Sequence, residues 1–354
     1  MATIETEELP KAVLHEHLDG GLRVETVLEI ADEVGYRDLP SYDIDELRTW
    51  FHQGRSGSLE RYLEPFVHTI AVMQTQDAIS RIAYESARDL AEDGVAYAEI
   101  RFAPSLNMAG GLTREAVLEA AHDGYQRGMA SGDITIGGTI VCAMRQDKDS
   151  AEVARAAAAS MHVGVIGFDL AGPEAGFPAD DHLEACLIVR EAGLGLTIHG
   201  GEGDGAHSMW RAIALCGAMR IGHGVHVADD TDFDGTEISH LGPFARSVRD
   251  HRVPLEVAIS SNIHTSSYAS PEVHPFGALY RNGFNVSINT DNRLMSGVTV
   301  SSEYALASES FGLSLDDLER ITVNAIEAGF GDYRERSRII DDVVRPAYAA
   351  AGVQ

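Results

Sequence analysis

Eight short runs rich in β-branched and apolar residues, each followed by a stretch of helical period, predict an α/β protein. The arrangement expected is a closed (β/α)8 barrel of the TIM type with a helical insertion after the first strand. Two further observations point the same way. The unusual polar residues stand at the C-terminal ends of the runs, where barrel enzymes carry their functional groups. No Gly/Ser-rich or Pro-rich linker, low-complexity tract or fixed-period repeat interrupts the chain. Residues 1–354 therefore read as one domain, with an open doubly wound sheet as the second choice.

The runs fall at 12–17, 96–102, 134–142, 165–170, 194–199, 219–222, 254–259 and 285–289. Helical period separates them, as in 78–94 before the second run and 150–164 before the fourth, each ending in the glycine that commonly stops a helix. The stretch 18–94 is too long for a simple connection and is expected to lie over the C-terminal rim as a lid. Within it Leu59, Tyr62, Leu63 and Phe66 fall at i, i+3, i+4 and i+7, one face of a helix.

Composition removes several function classes. Lys plus Arg number 27 against 55 Asp plus Glu, a net charge of −28, and such a surface repels nucleic acid and anionic lipid. The only lysines are Lys11 and Lys148, so Schiff-base chemistry has little place. Cys142, Cys186 and Cys216 are odd in number and far apart, which suggests neither a disulfide framework nor a thiolate metal site. The acidic start is unlike a secretory signal, and no apolar run approaches the roughly 20 residues of a membrane span. A cytoplasmic protein is expected.

The first run ends Leu14-His15-Glu16-His17-Leu18-Asp19. Strand alternation turns His15 and His17 to one face and Glu16 to the other, so the two imidazoles can share a metal ion. The fifth run ends His199-Gly200-Gly201-Glu202, the sixth ends Gly222-His223-Gly224, and the eighth ends Thr290-Asp291-Asn292. A closed barrel brings these ends to one mouth. Imidazoles with a carboxylate suit zinc better than the all-oxygen shells of magnesium or calcium, and the ligands are assigned as His15, His17, His199 and Asp291. His223 and Glu202 remain beside the metal as a pair able to move protons for hydrolytic attack on an electrophilic carbon. The fourth run carries no lysine that could be carboxylated to bridge two metals, which favours one Zn2+. The cytidine-deaminase zinc signature, H-x-E with P-C-x-x-C, is missing. GGEGDG, from Gly200 to Gly205, lacks the lysine and spacing of a phosphate loop.

With these motifs in order, LHEHLDGGLR, TIHGGE, RIGHG and SINTD, joined by YAEIRFAP and GFDLAG, the chain resembles the adenosine deaminase family of metal-dependent amidohydrolases over nearly its whole length, bacterial members above all. The resemblance implies zinc-dependent hydrolytic deamination of adenosine and 2′-deoxyadenosine in purine salvage. It implies that Glu202 protonates purine N1 and that His223 orients and deprotonates water. It also implies that His17 borders the substrate, Asp19 bonds the ribose 5′-hydroxyl, the Gly172 amide faces N3, and Asn292 meets N7. Lid residues at Leu59, Tyr62, Leu63 and Phe66 would cover the purine. Glu202 must then enter protonated, which requires burial or a neighbouring carboxylate.

Three departures from the family pattern surround the mouth rather than the metal: Asn292 where many relatives have aspartate, Ala258 and Ile259 where Cys-Pro is common, and Gly203 and Asp204 after Glu202. They bear on substrate identity. One alternative is aminodeoxyfutalosine deamination in menaquinone synthesis, whose carboxylated substrate would need a rim cation such as Arg23, Arg61 or Arg293. Adenine would leave Asp19 without a ribose. A noncatalytic zinc-bound binding protein and a metal phosphoesterase are the alternatives of other classes. The excess negative charge disfavours anionic substrates such as AMP and tolerates a neutral purine nucleoside. Oligomeric state is not legible in the sequence.

Overall fold

The computed structural model describes residues 4–352. In chain order the strands among the described residues are β1 (Lys11–His17), β2 (Val95–Phe102), β3 (Thr135–Met144), β4 (Val165–Ala171), β5 (Gly195–Gly200), β6 (Arg220–His223), β7 (Thr231–Phe233), β8 (Ile238–Leu241), β9 (Leu255–Val257) and β10 (Val286–Ile288). Eight of them form one parallel sheet in the order β1-β2-β3-β4-β5-β6-β9-β10. Among the described residues the strand order never reverses, as it would have to in a doubly wound sheet. The last strand returns to the first instead: the amide of His17 donates to the Asp291 carbonyl at 2.8 Å, and the Asp291 amide to the His15 carbonyl at 2.9 Å. The sheet is a closed (β/α)8 barrel.

The expected strands are all present with ends shifted by a residue or two, as at the seventh. There the strand ends at Val257, and Ile259 opens a short helix, Ile259–His264. Glu303 explains the early end. Its buried carboxylate accepts from the Ser260 amide at 3.2 Å and from the Ser260 hydroxyl, so a residue far along the chain holds the first turn. The antiparallel hairpin β7–β8, beyond the expected elements, follows β6 outside the barrel.

Outside the barrel, helix Gln76–Glu92 starts on the Thr75 side chain, which accepts from the Ala78 amide at 3.2 Å, and buries Ile79, Ile82, Ala83 and Leu90. It lies against helix Arg114–Gly128. Gly124 sets that closeness, because a Cβ there would stand 2.3 Å from the Ser80 carbonyl oxygen. Between β1 and this helix lie Val24–Val34, Ile44–Phe51, Leu59–Tyr62 and Phe66–Val72. The stripe expected at Leu59, Tyr62, Leu63 and Phe66 is therefore not one continuous helix. The first piece stops at Leu63, and Phe66 starts the next after Pro65, which has no N–H to continue the ladder. Among the described residues no helix is long and apolar enough to cross a membrane.

Candidate active site at the barrel mouth

Parallel strands place their C-terminal ends on one rim, and five side chains from four of these ends meet there. His15, His199, His223 and Asp291 each offer one ligand atom, all lying within 4.8 Å of one another. His17 joins them. Its Nε2 is 3.3 Å from Nε2 of His199 and 3.4 Å from Oδ1 of Asp291, and Asp291 Oδ1 is 3.2 Å from Nε2 of His15. With metal–donor bonds of about 2.0–2.1 Å, the edge of a tetrahedron is about 3.3 Å. The spacing thus fits donor atoms arranged around one ion. The alternation expected of β1 also holds: Glu16 points the other way, to Nε of Arg293 at 2.6 Å.

Local backbone explains how these groups are brought so close. His223 and Asp291 both have left-handed φ, 61° and 59°, unusual for residues with a side chain and found where surrounding structure enforces it. At Gly222 a Cβ would stand 2.9 Å from Cε1 of His15, so only glycine on β6 leaves room for that ring.

Behind the cluster the barrel interior is ionic. Nδ1 of His15 lies 3.0 Å from Oε2 of Glu256, and Nδ1 of His199 lies 2.8 Å from Oδ2 of Asp169. Arg101 joins the two carboxylates, donating to Asp169 at 2.8 Å and to Glu256 at 2.6 Å. Arg220 extends the chain from Glu256 at 2.6 Å to Glu99 at 2.7 Å. All five charged residues are buried. A carboxylate on Nδ1 fixes the tautomer and turns an electron-rich Nε2 toward the centre, as in histidines that bind metals. The sequence reading missed Asp169, Glu256 and Arg101 as parts of the site. The available signal was their position on strand interiors, where an unpaired charge is untenable.

Glu202 and His223 face each other, Oε2 to Nε2, at 3.5 Å. Burial, then the charges of Asp291 and Glu174, push the Glu202 carboxyl well above the usual carboxylate range, while burial and then the neighbouring His15 hold His223 well below the ordinary histidine value. The two shifts run in opposite senses, one favouring a carboxyl that keeps its proton and the other an imidazole that lacks one. Asn262 contacts the far ring nitrogen, its Nδ2 3.0 Å from Nδ1 of His223, and the Ser261 hydroxyl donates to Asp291 Oδ2 at 2.6 Å. Neither residue was singled out from the sequence for such a role, since the helix carrying them was read partly as strand.

These groups open into a cavity of about 310 Å³. Its apolar wall includes Leu59, Tyr62, Leu63, Phe66, Leu106 and Met144, and its polar wall includes His17, Asp19, Gly172, Glu202, His223, Asp291 and Asn292. All residues expected to touch metal or substrate therefore converge here except His15, which lies deeper. The broken lid helices still present all four expected side chains to the cavity, and the Tyr62 hydroxyl is 2.7 Å from that of Ser296. Asp19 is buried 3.8 Å from His17, its carboxyl pushed up to about 7 by burial. The Asn292 carbonyl oxygen is buried with no hydrogen-bond partner among the described residues. Arg23 and Arg293 both turn to Asp89, Arg293 also to Glu16; neither they nor Arg61 line the cavity.

Comparison with known proteins agrees with this geometry. The adenosine deaminase family pattern matches residues 10–346. An adenosine deaminase of Mycolicibacterium gilvum is 49% identical over 96% of this chain and 95% of its own length, and one of Mycobacterium bovis is 48% identical over 98% and 97%. An adenine deaminase structure from Arthrobacter aurescens, 23% identical, superposes with a TM-score of 0.84 over 98% of this chain and 100% of that one, a likeness of fold. With its barrel closed over a cluster of histidines and aspartate, and with relatives so similar over nearly full length, this chain belongs to the adenosine deaminase family.

Proposed function

We propose that the protein, acting as a single domain, hydrolyses the C6 amine of adenosine and 2′-deoxyadenosine to give inosine or 2′-deoxyinosine and ammonia, in cytoplasmic purine salvage. The observation that carries this reading is the Glu202–His223 pair, 3.5 Å apart on the wall of an apolar cavity. One pair member is biased to hold a proton and the other to lack one.

His15, His17, His199 and Asp291 would hold one Zn2+, supported by their 3.2–3.4 Å spacing and by the carboxylates on two of the rings. Zinc in such a site supplies Lewis acidity that makes hydroxide available near neutral pH. Glu202 donates its proton to purine N1, drawing electrons from C6. His223 takes a proton from the water whose oxygen bonds to C6. As the tetrahedral carbon collapses, the C6–N bond breaks and the amine takes that proton from His223, leaving as ammonia. N1 keeps its hydrogen in the product lactam, and the C6 hydroxyl proton passes to the Glu202 carboxylate as C6=O forms, which restores the acid. Asp19 would hold the ribose 5′-hydroxyl, the Gly172 amide N3, and the Asn292 amide N7. His17 borders the same cavity. The Leu59, Tyr62, Leu63 and Phe66 side chains exclude water from the purine face.

The carboxylated nucleoside of the futalosine route fits less well, because Arg23 and Arg293 are engaged by Asp89 and Glu16. A spectrophotometric panel on zinc-replete protein tests the reading with adenosine, 2′-deoxyadenosine, adenine, AMP and aminodeoxyfutalosine. Adenosine and deoxyadenosine should be the best substrates. Glu202→Gln should lower kcat by about 10²–10⁴-fold with zinc retained. No deamination of any member, or an unaffected Glu202 variant, would overturn it.

A further inference from the structure

Glu174 lies two residues beyond Gly172 in the loop after β4, and it is buried. Among the described residues its carboxylate meets no cation. It accepts from four consecutive backbone amides of the loop after β5: Gly201 at 2.7 Å on Oε1, and Glu202, Gly203 and Asp204 at 3.0, 2.8 and 3.0 Å on Oε2. Successive amides turned inward form a nest for an anion. From the other side the Ser267 hydroxyl donates to the Glu202 carbonyl at 2.8 Å. The backbone of Glu202 is thereby gripped at both its N–H and its C=O, although its side chain must stay free to meet the substrate. Four donors facing one group call for a pure acceptor, which an amide side chain is not.

We propose that Glu174 is a positioning residue for the deamination, fixing the 201–204 backbone so that the acid of Glu202 is presented to the purine in one orientation. The inference rests on the reading of Glu202 given above. A misplacement of about 1 Å in such a group costs on the order of 10²-fold in rate.

The test uses the full-length, zinc-replete protein and the variants Glu174→Gln, Glu174→Asp, Glu202→Gln and the double substitution of Glu174 and Glu202 by Gln. Glu174→Gln should lower kcat about 10²-fold, with KM changed less than about threefold and zinc stoichiometry unchanged. Affinity for a nucleoside analogue with a hydroxylated tetrahedral C6 should fall by the same factor as kcat, while affinity for inosine holds. On a Glu202→Gln background the Glu174 substitution should add little further loss, because both act through one group. Unchanged kcat, losses that multiply in the double variant, or equal weakening of inosine and the tetrahedral analogue would each overturn the proposal. Glu174→Asp gives the same readouts should the glutamine variant not fold. Failure of the parent reading is distinguishable, since the native protein would then not deaminate adenosine, and this inference would fall with it.

Discussion

The two halves of the histidine cluster hold their rings by different chemistry. His15 and His199 rest Nδ1 on buried carboxylates, Glu256 and Asp169, whereas His223 rests Nδ1 on the side-chain amide of Asn262. A carboxylate only accepts, so it fixes the proton on Nδ1 and leaves Nε2 permanently a donor of electrons. An amide can donate through nitrogen or accept through oxygen, so it serves a ring in either tautomer. The first arrangement suits a ring that must not change during turnover. The second suits one that gains and loses a proton. On the proposed mechanism, the partner behind each ring separates holding from transferring within one crowded mouth.

The largest expected effect comes from breaking the carboxylate side. Glu256 accepts from Arg101, Arg220, Thr197 and His15, so Glu256→Gln leaves buried charge uncompensated and should destabilise the fold by about 3–5 kcal/mol. Denaturant unfolding measures this, and metal affinity should fall alongside. Asp169→Asn removes less, since Arg101 keeps Glu256. Zinc affinity should weaken about 10–100-fold by chelator competition, with kcat of the zinc-saturated enzyme near native. Unchanged affinity would mean that the carboxylates serve the fold alone.

The smallest effect on metal and the clearest on pH is expected from the amide side. On the proposed mechanism the free enzyme acts with His223 neutral and Glu202 protonated. Log kcat/KM should therefore fall on the acid side as His223 gains a proton, below the ordinary histidine value, and on the alkaline side as Glu202 loses one, above the ordinary carboxylate value. Asn262→Asp places a negative charge against the ring, which favours its protonated form, so the acid limb should move to higher pH by about 1–3 units with zinc affinity little changed. A limb that stays in place would show that His223 does not set it.

Much of this arrangement was legible before any coordinates. Runs such as 165–170 and 194–199 are dense enough in apolar residues to be buried strands in any parallel sheet, and alternation alone sent His15 and His17 one way and Glu16 the other. What escaped did so for different reasons. Pro65 breaks the lid stripe locally and was visible, yet four apolar side chains reach the cavity from either side of the break. Ala258 and Ile259 look like strand by composition, but Glu303, over forty residues on, holds a helix start at Ser260. The hairpin β7–β8 is short and half exposed, with little periodicity to betray it.

The sequence by itself determined the eight barrel strands, the direction in which the first strand's histidines point, and the chemical kind of the groups at the rim, because these depend on local period and residue type. Closure of β10 onto β1 made those groups one site. Tertiary structure alone decided that Asp169, Glu256 and Arg101 stand behind two of the imidazoles and Asn262 behind the third. It likewise decided that Glu174 gathers four amides beneath Glu202. Hydrogen bonds between residues tens to hundreds of positions apart leave no periodic trace in a single chain, and a buried polar group reveals its purpose only when its partner is in view.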